Sequence, residues 1–393
     1  MTATANTARL PDAFPRGGSA IVAAATFGVG QAPGYSSFDL AARASLKALE
    51  QVNLRPRDVD GLFIAVMDEA LAGLNFAEYL GIRSRFNDNC RTGGSSSQIQ
   101  AAIAALALAT GQCDVALIAF GSNQRSASGK LVNSSRPSPW ESPYRPMRPI
   151  SSYALAAARH MYEFGTTREQ LGAVALAARQ WAQRNPDAVM RDELTMQEYL
   201  SARMVCDPLG LRDCCLVTDG AAAVVMTRAD RAREICPRPA YLLGAAHETT
   251  HREIANMPSL TTTGVRAAGE RAFAQARLGP GDVDVVEIYD AFTINTILFL
   301  EDLGFCPKGE GGPFVSGGRI APGGELPVNT NGGGLSFCHP GMYGTFTMVE
   351  AAQQIMGVCG QRQVADVNVA VAQGNGGELS SEAVLILGSA ATL

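Results

Sequence analysis

Two imidazoles four residues apart, with a glutamate after the first, have the spacing of a zinc-protease site. His247–Glu248–Thr249–Thr250–His251 has that spacing. The chemistry needs both histidines on one face of a helix, with the glutamate as base. Here the pattern follows a strand-like run, 241–243, and its centre is two β-branched threonines. The chain holds only four histidines, so a third ligand is not evident, and the match reads as coincidence at a strand end; no metal is expected. Gly28–Val29–Gly30–Gln31–Ala32–Pro33–Gly34 comes close to a dinucleotide-binding fingerprint. Its third glycine is one place late and a proline stands where the helix should begin, so it reads as a glycine-rich turn. Serine, tyrosine and histidine side chains could supply a second kind of chemistry, at a carbonyl. A serine hydroxyl needs a dedicated base to act as a nucleophile, and at the start of a helix it otherwise reads as an N-cap. A tyrosine hydroxyl can give a proton or, ionised, take one, provided that the site tunes a pKa near ~10. A histidine that opens a helix, with backbone N–H groups nearby, can donate to an oxygen on which negative charge builds.

The elements that must position these residues read as α/β, because strand-like runs alternate with helical patterns. Strands are expected at 20–27, 59–66, 114–120 and 221–226, with helices at 38–52 and 98–110. Pro237–Arg238–Pro239 reads as a linker. A second series follows it: strand 241–246, helix 265–276, strand 283–288, helix 342–356, and strands 367–372 and 383–387. The two series look like copies. Leu54–Arg55–Pro56–Arg57–Asp58–Val59–Asp60 and Leu278–Gly279–Pro280–Gly281–Asp282–Val283–Asp284 each join a helix to a strand, and Cys113–Asp114–Val115 and Ala365–Asp366–Val367 each lead a later strand. Residues 125–215 between them, opening with a Pro/Ser/Arg-rich stretch at 135–149 and continuing with helical segments, read as a large inserted loop region of a kind that often shapes a binding site. The expected organisation is a flexible leader at 1–18, an N-terminal half at 19–236 including the insertion, and a C-terminal half at 237–393.

Composition bounds the function. The 393 residues are 47% apolar and 18% charged, enough for two domains with a large core. A net charge of −5 argues against a nucleic-acid partner. The leader lacks a basic start followed by an apolar run, and the apolar helical stretch at 99–109 is too short to span a bilayer. Nine cysteines with no CxxC pair argue for reduced thiols and a cytoplasmic protein rather than a disulfide framework.

Residues 329–344, NTNGGGLSFCHPGMYG, resemble the thiolase segment in which an asparagine and paired glycines lead to His-Pro at a helix start. Glu287–Ile288–Tyr289–Asp290–Ala291–Phe292 falls where thiolases carry Asn-Glu-Ala-Phe, and Asp219–Gly220–Ala221–Ala222–Ala223 matches their DGAAA stretch. Asp213–Cys214–Cys215 is similar to the branch related to sterol-carrier-protein thiolases. The resemblance implies a duplicated, layered α-β-α-β-α fold and work on a carbon–carbon bond beside an acyl-CoA thioester. Two departures bear on mechanism. The position of the thiolase nucleophilic cysteine falls at Ser95, in Thr92–Gly93–Gly94–Ser95–Ser96–Ser97, and the nearest cysteine is Cys90. The C-terminal Cys-x-Gly element is replaced by Gln373–Gly374–Asn375–Gly376–Gly377. Tyr289–Asp290–Ala291–Phe292–Thr293 is similar to the YDxFT element of a cysteine-lacking subgroup, the steroid side-chain aldolases, whose tyrosine takes part in proton transfer.

The resemblance therefore implies retro-aldol cleavage of a β-hydroxyacyl-CoA through an enolate, without a covalent adduct. A thiolase or acyltransferase and a non-catalytic acyl-CoA-binding subunit remain as alternatives. The candidate catalytic residues are His339, Tyr289, Tyr343, Ser95 and Asn375. No cofactor is expected beyond the coenzyme A of the substrate, with Arg125, Lys130, Arg136, Arg145 or Arg148 near its phosphates, because guanidinium forks suit phosphate oxygens. Aldolases of this subgroup and benzoylsuccinyl-CoA thiolases work with a small zinc-ribbon/OB-fold partner, and thiolases pair through a sheet edge of the first half. The resemblance implies the same partner here, and a two-fold homodimer with the apolar strand 114–120 near its axis.

Overall fold

The computed structural model describes residues 14–127 and 139–393. The first half comprises β1 (Ser19–Gly30), α1 (Ser37–Gln51), β2 (Gly61–Ala65), α2 (Ala72–Leu80), β3 (Phe86–Asp88), α3 (Ser96–Ala109) and β4 (Val115–Ser122). Three helices follow, α4 (Ile150–Phe164), α5 (Arg168–Gln183) and α6 (Met196–Leu200), then a hairpin of β5 (Met204–Cys206) and β6 (Leu209–Gly210), then β7 (Asp219–Arg228) and α7 (Ala229–Ile235). The second half comprises β8 (Ala240–Thr249), α8 (Val265–Ala276), β9 (Val285–Glu287), α9 (Thr293–Asp302), α10 (Gly311–Val315), α11 (Gly344–Met356), β10 (Val369–Gly376) and β11 (Ser381–Gly388).

Nine strands run in the order β3-β2-β4-β7-β1-β8-β11-β10-β9. Either side of the β1–β8 seam the pattern is mirrored. β2–β4 is parallel while β4–β7 and β7–β1 are antiparallel; β9–β10 is parallel while β10–β11 and β11–β8 are antiparallel. The seam is only two residue pairs long, Ala20↔Tyr241 and Ile21↔Ala240. Helices α3 and α11 touch each other and strands of both halves, whereas α1 packs on β1, β4 and β7 and α8 on β8 and β11. The result is the α-β-α-β-α layering expected of the fold. The repeated turn matches down to single bonds. Asp58 accepts from the Arg55 N–H at 2.9 Å and Asp282 from the Gly279 N–H at 2.8 Å. Asp60 then accepts from Asp114 and Val115 N–H, and Asp284 from Asn368 and Val369 N–H, at 2.8–2.9 Å throughout.

One expectation about the sheet is corrected. The apolar strand β4 is not a sheet edge. It pairs with β2 on one side and β7 on the other, and α1 and α3 cover its faces, so no second subunit is needed to bury it. The edge of the first half is β3. Where it is described, the inserted region carries the helical segments expected of it, α4, α5 and α6. The leader lies outside the described residues as far as residue 13, and the rest of it is tied down: Arg16 donates to Ala276 O at 2.9 Å and Thr392 O at 2.6 Å, and Gly17 N–H to Leu242 O at 2.8 Å. His247–His251 begins inside β8, so its two histidines do not share a helix face, and no metal-binding cluster occurs among the described residues. Nor is any described helix long and apolar enough to cross a membrane.

Candidate active site

The site lies where the N-terminal end of α3 meets the ends of β9 and β10 and the loop before α11. Gly94 marks the meeting point: a Cβ there would lie 2.2 Å from Tyr289 Cε2 and 2.4 Å from Asn375 O. Only a residue without a side chain lets the helix start approach so closely. The first turn of α3 begins at this junction; Ser96 N–H donates to Gly93 O at 3.1 Å, and the helix start carries the positive end of the helix dipole.

Tyr289 follows β9 by two residues and is held along its backbone, its N–H donating to Gln373 Oε1 at 3.0 Å and its carbonyl accepting from Asn295 Nδ2 at 3.3 Å. Its buried hydroxyl stands 3.0 Å from His339 Nε2 and 3.4 Å from Gly341 O, with the two rings edge to face at 5.4 Å. Burial pushes the Tyr289 pKa well above its ordinary value, and Cys215 nearby adds to that. Burial also lowers His339 to about 4, so the imidazole is neutral at neutral pH.

His339 does not open a helix, contrary to expectation. A single wide helical turn, Gly333–Phe337, precedes it, and α11 begins at Gly344. Pro340 disfavours a helical backbone at the residue before it, and Thr218 holds His339 instead: His339 N–H donates to Thr218 Oγ1 at 3.1 Å and Thr218 N–H to His339 O at 3.3 Å. Tyr343 therefore does not share a helix face with His339. It reaches the site by ring packing, stacked on His339 at 6.2 Å and edge-on to Tyr289 at 5.8 Å, while its hydroxyl donates to Asn331 Oδ1 at 2.8 Å. The glycines before the turn let the backbone close on Asp290. Gly333 has φ +64°, and a Cβ there would lie 2.0 Å from Asp290 Oδ2. Gly334 N–H donates to Asp290 Oδ1 at 2.5 Å, and burial raises Asp290 to about 7 against the pull of these backbone bonds.

Ser95 stands at the N-cap of α3, but its side chain caps nothing. Its buried Oγ lies 2.9 Å from Thr92 Oγ1 and 3.0 Å from Ser381 Oγ, and among the described residues no imidazole or carboxylate bonds to it. Asn375, on β10, donates to Tyr153 Oη at 2.8 Å, while its buried Oδ1 has no partner among the described residues. Cys90 is exposed, and its thiol is pushed up by burial of the sulfur and by Asp88.

A family model for the thiolase N-terminal domain matches residues 19–230, and one for the thiolase C-terminal domain-like family matches residues 246–389. The chain belongs to the thiolase family. It is 35% identical to an acetyl-CoA acetyltransferase of Methanothermobacter thermautotrophicus over 88% of this chain and 93% of that one. To the 17-hydroxy-3-oxo-4-pregnene-20-carboxyl-CoA lyase of Mycobacterium tuberculosis it is 32% identical, over 95% of this chain and 99% of that one. The solved Ltp2-ChsH2(DUF35) aldolase superposes with a TM-score of 0.87 at 30% identity, covering 95% of this chain and 98% of that one. Within the family the chain lies in the sterol-carrier-protein-thiolase-like branch, and it is a thiolase-superfamily enzyme, a C–C lyase or acyltransferase.

In this thiolase-family chain the five candidate catalytic residues fall around one junction, with Tyr289 and His339 in direct contact. The arginines do not converge. Arg125 is exposed, with Nη1 3.4 Å from Val217 O, and Arg145 is exposed on its own turn. Arg148 is engaged by Glu141 and Glu253, with Glu378 at 3.7 Å, so its fork is already occupied by carboxylates. Lys130 and Arg136 lie outside the described residues. Sequence reasoning missed Gln373, Asp290 and Thr218. Gln373 was within reach of a strand argument, because it alternates with Asn375 and shares its face of β10. Asp290 was in view as part of the Tyr289–Asp290–Ala291–Phe292–Thr293 element but had no role there, and Thr218 carries no local signal, since tertiary contact makes its role.

Proposed function

We propose that this chain cleaves a β-hydroxyacyl-CoA by a retro-aldol reaction, without a covalent acyl-enzyme. The observation that carries the reading is the buried Tyr289–His339 hydrogen bond beside a helix start that offers Ser95 where thiolases hold a cysteine. The substrate β-hydroxyl lies against Tyr289 Oη. Its proton passes to Tyr289 as the tyrosine's own proton passes to His339 Nε2, so no free tyrosinate forms in a site that disfavours one. The Cα–Cβ bond breaks, the carbonyl fragment leaves, and the electron pair enters the enolate of the CoA fragment. The new imidazolium and the first-turn N–H groups of α3 stabilise that charge. The proton then returns through the same relay to Cα, and no co-reactant is consumed.

The setting follows from the same reading. The chain works as a cytoplasmic homodimer with a small zinc-ribbon/OB-fold partner; the partner is supported by the two-protein name of the similar aldolase. The two halves are residues 19–236 and 237–393, and of the basic residues of the insertion the exposed Arg125 or Arg145 is available to a CoA phosphate. The test is incubation of the chain, alone and co-expressed with such a partner, with β-hydroxyacyl- and β-ketoacyl-CoA panels, with and without free CoA. Release of an aldehyde or ketone without CoA consumption is expected. The acetyl-CoA acetyltransferase relative favours a second reading, thiolysis. Cleavage of β-ketoacyl-CoA alone, with consumption of CoA, would replace the first reading by that one.

A further inference from the structure

A cavity of about 290 Å³ opens beside the site, behind the wall formed by Leu335, Ser336 and Cys215. It is near the reaction centre. Cys215 lies close enough to Tyr289 to affect its ionisation, and its N–H donates to Ala291 O at 2.8 Å. Ser336 is two residues from Gly334, where a Cβ would lie 3.4 Å from His339 Cδ2. Much of the wall is apolar, with Ala175, Leu194 and Leu335 in it.

Two arginines also line the cavity, Arg179 and Arg212. Arg179 is 4% exposed, with Nε donating to Ser336 Oγ at 3.0 Å and Nη1 to Asp192 O at 3.0 Å. Among the described residues no carboxylate forms an ion pair with either arginine. Buried cations are ordinarily paired, and Arg148, Arg168 and Arg362 in this chain all are. Burial and the neighbouring Arg212 both weaken the hold of Arg179 on its proton, and the carboxylates of Asp192 and Glu198 nearby offset this only in part, neither lying within ion-pair distance. An anion between the two arginines would relieve their repulsion.

We propose that Arg179 and Arg212 form a subsite for a carboxylate carried by the acyl group of the substrate, so that the enzyme acts on acyl-CoA thioesters with a second, anionic end. This rests on the acyl-CoA reading above. The phosphates of CoA are the other source of oxyanions, but a pantetheine arm separates them from the thioester, whereas this cavity is separated from Tyr289 and His339 only by the residues of one wall, Cys215, Leu335 and Ser336.

The experiment uses the full chain with two β-hydroxyacyl-CoA substrates of equal length, one ending in a carboxylate and one in its methyl ester. Wild type is expected to favour the acid in kcat/KM, and Arg212→Gln, at a half-buried residue, to lower the acid-over-ester ratio roughly tenfold or more, the worth of a charge-assisted hydrogen bond. Arg179→Lys, which keeps the charge but not the fork, should lower it less. Equal turnover of acid and ester by wild type would overturn the subsite and leave the retro-aldol reading standing. A parallel loss for both substrates, with weakened affinity for free CoA, would overturn it in favour of a phosphate site. Should neither substrate be cleaved, the retro-aldol reading fails, and the acid-over-ester ratio is then read on the β-keto pair with CoA.

Discussion

At the residue scale the chemistry rests on a tyrosine and a histidine whose burial keeps both uncharged at neutral pH. Tyr289→Phe removes the relay hydroxyl but keeps the ring and its packing, so its loss of kcat, expected at ~10²-fold or more, cannot be assigned to a cavity. His339→Ala is expected to lose at least as much. Ser95→Ala should retain substantial activity, because among the described residues that hydroxyl bonds to no imidazole or carboxylate. Cys90→Ser should behave in the same way; abolished turnover in a folded Ser95 or Cys90 variant, with a trappable acyl adduct on the wild-type residue, would sink the non-covalent route. The pH profile is a second test. His339 accepts a proton only while neutral, and with its pKa lowered to about 4 the acid limb of kcat/KM should stay flat from pH 7 to about pH 5.5, where an ordinary histidine would already have cost most of the activity. The same shift bears on stability. The folded pKa lies below the unfolded value, so the contribution is present above about pH 6.5 and is lost as pH falls toward 4. His339→Gln should therefore flatten that part of the unfolding profile. Tyr289, His339 and Ser95 were legible because each sits in a short motif. Arg179 was not: inside a helix an arginine gives no sign of whether it faces water or a cavity.

At the element scale, strand and helix positions were legible to within a few residues, because apolar runs and turn residues mark them locally. What covers each element was not. An all-apolar strand signals burial on both faces without saying by what, and in β4 the cover proved to be intramolecular. The same limit applies to His339, where Pro340 and the Gly332–Gly334 run set a loop conformation that a helical pattern further along obscures. The dimer expectation therefore moves to β3, whose outer edge is unpaired and only three residues long. Sedimentation equilibrium at micromolar concentration should show a dimer, and a stable monomer would remove the case for pairing through this edge.

At the scale of the whole molecule, the two halves are interleaved rather than merely joined. Because α3 and α11 are packed between strands of both, neither half can bury its own helix alone. Fragments 19–236 and 237–393 produced separately should be insoluble or molten, and co-expression should restore a soluble complex; a well-folded isolated half, with a sharp unfolding transition, would contradict this. The duplication also carries its own control experiment. Asp60 and Asp284 make the same pair of bonds at equivalent strand starts, but among the described residues Asp60 alone also faces an arginine, Arg85 at 3.3 Å. Each aspartate replaced by alanine should cost about 1–2 kcal/mol by urea unfolding. One substitution then serves as the other's reference, and the difference between the two isolates what a single exposed ion pair adds to an otherwise identical turn, a comparison that usually has to be made between two proteins and can here be made within one.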